Sequence, residues 1–89
     1  MIETQVTIIN KLGLHARAAA KFVSCTSAFS SKVRAGTNGK LVDAKSIMSV
    51  MMLAAGQGTV LDLKIEGADE DAALEAIQAL IENRFDEAE

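Results

Sequence analysis

Two runs of alternating polarity set the first constraint on how this 89-residue chain can fold. In residues 2–9, IETQVTII, the side chains of Ile2, Thr4, Val6 and Ile8 fall on one face, with Glu3, Gln5 and Thr7 opposite. In residues 60–66, VLDLKIE, Leu61, Leu63 and Ile65 oppose Asp62, Lys64 and Glu66. A period of two places successive side chains on opposite faces of a strand, so both runs read as half-buried strands. Residues 32–37, KVRAGT, and 40–44, KLVDA, flank Asn38-Gly39. Both residues of that pair tolerate positive φ, which predicts a tight hairpin.

The stretches between the strands carry a longer period. Residues 16–27 open on Ala and Arg, strong helix formers, and Ala19, Phe22, Val23 and Thr26 follow at helical spacing. Ser46 can cap a short apolar helix over residues 47–53. Asp69, Glu70 and Asp71 put negative charge where a helix start favours it. Ala73, Leu74, Ile77, Leu80 and Ile81 then form an apolar stripe on a helix reaching about residue 84. Residues 10–14 and 54–59 contain glycine and read as loops, and the closing DEAE reads as frayed. The order β-α-β-β-α-β-α predicts an α+β fold, a four-stranded antiparallel sheet with its helices on one face. The length fits a single domain, residues 1–89.

Composition excludes several functions. The formal net charge is -3, and the nine basic residues never form a block. Nucleic-acid binding needs a concentrated positive face and, for single strands, aromatic platforms; this chain has no Trp or Tyr. Glu3, Gln5 and Thr7 interrupt any signal-like N-terminus, and no apolar run approaches the roughly 20 residues of a membrane span, so a cytoplasmic protein without membrane insertion is expected. The single Cys25 allows no internal disulfide and has no second ligand at metal spacing. Gly56-Gln57-Gly58 is too short for a Walker-type loop. No metal or cofactor is expected.

The chemistry concentrates on His15, the only histidine, at the start of the first helix. Helix N-termini present unpaired backbone N–H groups and partial positive charge, which together favour phosphate. The same field disfavours imidazolium, leaving a neutral ring with a lone pair for nucleophilic attack. The amides of Ala16 and Arg17 would meet the charge of an attached phosphoryl group, and the Arg17 guanidinium could add a charge-assisted contact. Position alone also allows His15 to be an ordinary turn residue. Ser46 has two readings, a helix cap or a phosphorylation site, and from the residues alone the cap is preferred. Ile47, Met48, Met51 and Met52 either fill the core or leave an adaptable exposed patch, because two turns of helix cannot bury every side.

The stretch LGLHARAAAKFV, residues 12–23, resembles the active-site signature of the histidine-containing phosphocarrier (HPr) family of the phosphoenolpyruvate-dependent phosphotransferase system. NGKLVDAKSIMSVMML, residues 38–53, resembles that family's second signature, and GQGT and VLDLKIEGADEDAA fit in order and spacing. The resemblance implies an open-faced β-sandwich in which three helices cover one face of the sheet. It implies that His15 takes a phosphoryl group on Nδ1 from phosphorylated enzyme I, with Arg17 beside it, and passes it to an enzyme IIA. It implies a protein cosubstrate that does not turn over alone, expected to act as a monomer. Ser46 matches the serine modified in some members by a dedicated kinase/phosphorylase. The implied docking surface takes in Ile47, Met48 and Met51 together with Ala20 and Lys21 of the first helix. Ala18 stands where the family usually has proline, which implies a looser first turn. FDEAE is similar to the ending of the nitrogen-related paralogue (NPr) of a regulatory branch, whereas KSIMSVMML is closer to the sugar-type protein. Two other classes are compatible with a small acidic chain. An acyl carrier would be mainly helical, against the alternating strands, and a non-catalytic α+β binding module would leave His15 incidental.

Overall fold

In a computed structural model that describes residues 1–88, the two alternating runs become β1 (Ile2–Thr7) and β4 (Val60–Glu66), antiparallel neighbours. β2 (Lys32–Thr37) pairs on the other side of β4, and β3 (Lys40–Asp43) completes the order β1-β4-β2-β3. All three pairings are antiparallel. The register places Ile2 opposite Ile65, Thr4 opposite Leu63 and Val6 opposite Leu61. Across the other edge of β4, Val33 meets Ile65 and Ala35 meets Leu63. These residues form one apolar face. On the reverse face Glu3 lies opposite Lys64, and Gln5 Nε2 donates to Asp62 Oδ1 at 2.8 Å. The β2–β3 turn has Asn38 at φ 53° and Gly39 at φ 80°, the positive values that the Asn-Gly pair predicts.

The helices α1 (Ala16–Ser27), α2 (Ile47–Met52) and α3 (Glu70–Glu82) cover the apolar face. α1 contributes Ala18, Ala19 and Phe22 to the core, α3 contributes Ala73, Ile77 and Ile81, and α2 contributes Val50. Each fully buried Leu, Ile or Phe stabilises the fold by roughly 1.5–3 kcal/mol relative to exposure. The expected stripes hold, with Val23, Leu74 and Leu80 half-buried at the core margin. Element ends shift slightly. β1 stops at Thr7, yet Ile8 continues the pairing by donating to Thr59 O at 2.9 Å and accepting from Gly58 at 2.7 Å. Ser46 caps α2, its hydroxyl accepting from Ser49 N–H at 3.3 Å.

Asp69 does more than place charge at a helix start. Its carboxylate accepts the N–H groups of Ser30 and Ser31, each at 2.9 Å, and the Ser31 hydroxyl in a short contact. These bonds tie the start of α3 to the turn before β2. They hold the carboxyl well below its ordinary 3.8, at about 2, the Ser31 hydroxyl contributing most and the Ser30 amide next.

Of the four closing residues expected to fray, Asp86 and Glu87 depart from that expectation, and Glu89 lies outside the described residues. Beyond α3, a 3-10 turn, Arg84–Asp86, carries Phe85 fully into the core. Arg84, Phe85 and Asp86 all take left-handed φ, at 53°, 53° and 63°. Such backbone costs on the order of 1–3 kcal/mol per residue outside glycine. Burial of the Phe85 ring offsets this strain, and Lys21 Nζ adds a hydrogen bond to Phe85 O at 2.9 Å. Phe85 continues the i+4 spacing of Ile77 and Ile81, but the charges around it and the left-handed turn that delivers it beyond α3 hid this anchoring from the sequence.

Two outcomes follow from these contacts. Phe85→Ala should lower the unfolding free energy by about 3–5 kcal/mol, read from urea denaturation. Asp69 binds its proton more weakly folded than unfolded, so its contribution is present above pH 3.8 and is lost as pH falls toward about 2. Asp69→Asn should make the loss of stability across that acid window shallower, measured by thermal melts at stepped pH.

Candidate functional site at the entrance to the first helix

The segment before α1 is fixed from below. Gly13 adopts φ 66°, and a Cβ there would collide with the Ala55 carbonyl oxygen. Leu14 is buried and donates its N–H to that same carbonyl at 2.8 Å. Asn10, fully buried, donates Nδ2–H to Gly13 O at 2.9 Å, while Asn10 O accepts Gly13 N–H at 3.2 Å. The loop 10–14 therefore packs onto the turn that follows α2 and delivers His15 in one backbone setting.

His15 is the N-cap residue of α1, with extended φ/ψ of -71° and 177°. Its carbonyl accepts Ala19 N–H at 2.8 Å, but its side chain does not cap the helix. The ring is left to face outward, its side chain 29% exposed. The N–H groups of Ala16 and Arg17 lie in the first turn, where no intrahelical carbonyl can reach them. Ala16 and Arg17 are exposed, whereas Ala18 is buried completely. The helix begins at Ala16 without the family proline, and burial of the Ala18 methyl anchors its first turn.

One neighbour of the ring had no signal in the sequence. His15 Nε2 meets Glu87 Oε2 in a short contact, and the other oxygen of Glu87 accepts Asn10 Nδ2–H at 2.8 Å. The Asn10 bond, followed by the His15 bond, holds the Glu87 carboxyl below the usual carboxylate range, and the nearby Arg17 charge adds to it. A carboxylate can only accept hydrogen bonds. The nitrogen facing it must carry the proton, so in a neutral His15 the lone pair sits on Nδ1. Arg17 and Glu87 also border an open depression of about 480 Å³, with Lys11, Leu12, Asp86 and Ala88 on its other sides.

The remaining predicted residues lie elsewhere on the surface. Ile47, Met48, Met51 and Met52 are all exposed, Met48 at 69% and Met52 at 80%, while Val50 alone of α2 is buried. These four side chains therefore lie outside the core. Ala20 is half-buried on α1. Lys21 is half-buried too, and its ammonium also pairs with Asp86 at 3.3 Å. Its charge is engaged in holding the tail. Asn10 and Glu87 are the site residues that the sequence reading missed. Nothing local marks Asn10, and Glu87 could be found only by giving Phe85 the weight of a core anchor.

Comparison with known proteins gives this geometry a family. The family described as "PTS HPr component phosphorylation site" matches residues 2–83. The phosphocarrier protein HPr of Pseudomonas aeruginosa is 62% identical over 86 residues, 96% of each chain. That of Cupriavidus necator is 55% identical over 89 residues, the whole of both chains. A crystal structure of HPr from Thermoanaerobacter tengcongensis superposes with a TM-score of 0.95 at 47% identity, covering both chains completely. The chain belongs to the HPr family of phosphocarrier proteins, and its sheet with three helices on one face is the HPr open-faced sandwich.

The loop geometry makes one outcome specific. Gly13→Ala should cost about 1–3 kcal/mol, because the left-handed backbone and the Ala55 contact both oppose a methyl group. Urea unfolding of the variant measures it.

Proposed function

We propose that the chain is a single-domain phosphocarrier that takes a phosphoryl group from phosphorylated enzyme I on His15 Nδ1 and passes it to an enzyme IIA. The observation that carries this reading is the ring itself: outward-facing, at a helix N-terminus, with Nε2 paired to Glu87 and Nδ1 left as the nucleophilic nitrogen.

The chemistry needs little from the carrier beyond position and charge. The Nδ1 lone pair attacks phosphorus while the bond to the donor breaks, its electron pair leaving with the donor. The new phosphoryl oxygens lie toward the first turn of α1. There the Ala16 and Arg17 amides and the positive end of the helix meet their charge. The exposed Arg17 guanidinium is free to swing onto them and add charge-assisted bonds. The return step is the same displacement in reverse, with an acceptor taking the phosphorus and the Nδ1 lone pair restored.

The exposed Ile47, Met48 and Met51, with Ala20 and Lys21, supply the surface on which partners dock, methionine adapting to more than one of them. Ser46 lies at the start of that helix. Phosphorylation there by a serine kinase would put close to two negative charges on the docking face and weaken transfer. The carrier works as a monomer in the cytoplasm and serves the sugar-transport branch. No helix among the described residues is long and apolar enough to cross a membrane.

Incubation with enzyme I and phosphoenolpyruvate tests the reading. Mass spectrometry should show a gain of one phosphoryl group that is acid-labile and absent in His15→Ala. Arg17→Ala should slow transfer about tenfold or more. A purified sugar-specific enzyme IIA should then discharge the carrier, whereas discharge only by an IIA of a regulatory chain would reassign the branch.

A further inference from the structure

We propose that Glu87 is a positioning residue for phosphoryl transfer at His15: it fixes the ring orientation and tautomer before attack and faces the charge that develops on the ring afterwards. The inference rests on the reading of His15 as the phosphate carrier and assigns a task to a side chain outside both signature stretches.

The first support is the way the carboxylate is held. One oxygen of Glu87 takes the Nε2 side of the ring and the other takes Asn10 Nδ2–H at 2.8 Å. Asn10 is buried and fastened to Gly13 O by the same amide nitrogen, so it ties the carboxylate to the loop that carries His15. Base, orienting acid and a third residue behind the acid form the arrangement that sets an imidazole for nucleophilic work. The second support is the expense at which Glu87 is brought there. Arg84, Phe85 and Asp86 turn the chain through three left-handed residues. Phe85 is buried to anchor the turn, and Lys21 Nζ grips the Phe85 carbonyl and the Asp86 carboxylate. The third is exposure. The side chain of Glu87 is 14% exposed, so water screens its pairing with the ring only in part.

The role follows from the electron flow. When Nδ1 bonds to phosphorus, its lone pair becomes the new P–N bond and the ring gains positive charge. Nε2 keeps its proton, and that N–H points at a carboxylate. No proton has to leave or arrive during the transfer. When an acceptor takes the phosphoryl group, the P–N electron pair returns to Nδ1, and the ring leaves as the tautomer from which it began. Without Glu87 the ring is free to rotate about its Cβ–Cγ bond, and both nitrogens can present a lone pair to the donor.

The full chain, labelled with ¹⁵N at histidine, provides the test. At mildly alkaline pH the wild type should show a far-downfield, slowly exchanging Nε2–H proton. Glu87→Ala should lose it, and Glu87→Gln should keep it, because an amide oxygen still accepts the bond. In transfer from enzyme I, Glu87→Ala should lower kcat about tenfold, as loss of a carboxylate behind a working histidine commonly does, with KM for enzyme I changed less than about twofold. Glu87→Gln should fall between the two. Urea midpoints of both variants establish that the fold is intact. An unaltered Nε2–H signal in Glu87→Ala, or an unchanged kcat, overturns the proposal. A raised kcat also overturns it and makes the tail a shield over the ring. Failure of the wild type to take acid-labile phosphate removes the carrier reading and this role with it. Phosphorylation that proceeds equally well in Glu87→Ala removes only the role.

Discussion

The candidate site depends on the seating of residues 10–14 against the turn after α2. A helix N-terminus offers unpaired amides wherever it occurs, but a histidine benefits from them only if the backbone ahead of it is held. Here Gly13 allows the close approach, the Ala55 carbonyl takes Leu14 N–H, and Asn10 ties the loop to itself. The sheet contributes indirectly: β1 feeds this loop and β4 receives the chain from the turn, so their antiparallel pairing brings the two segments together.

Local periodicity revealed most of the architecture because each element has one buried face. The alternation in β1 and β4, the Asn38-Gly39 turn and the stripe of α3 all appear in the structure nearly as read. Ser46 caps α2 through an ordinary local hydrogen bond, which sequence rules anticipate. What escaped the reading is long-range and rests on single residues. Asp69 looked like a helix-start charge, yet its bonds run to Ser30 and Ser31, nearly forty residues earlier in the chain. Phe85 follows Ile81 at helical spacing but sits among charges beyond the end of α3, where left-handed backbone rather than a continued helix carries it inward, so its burial did not follow from the helical pattern.

At the candidate site, the placement of His15, Ala16 and Arg17 at the helix start was legible because they are adjacent in sequence and follow from helix-end physics. Asn10 and Glu87 were not, since their relation to the ring exists only after the sheet has formed and α3 has packed. The low aromatic content also has a physical outcome. With the ring faces of three Phe alone available, small side chains do the close packing, and fully buried Ala18, Ala19, Ala35, Ala44 and Ala73 recur through the core. The short α2 then buries one valine and leaves its sulfur-rich side to solvent.

The Glu87 contact to His15 spans 72 residues of chain. During synthesis the imidazole emerges long before its carboxylate, and closing so large a loop has to wait for β4 and α3. A nascent or tail-clipped chain would thus display its histidine with the backing acid missing. Maturation of the fold and completion of the ring's surroundings are, in this molecule, a single late event.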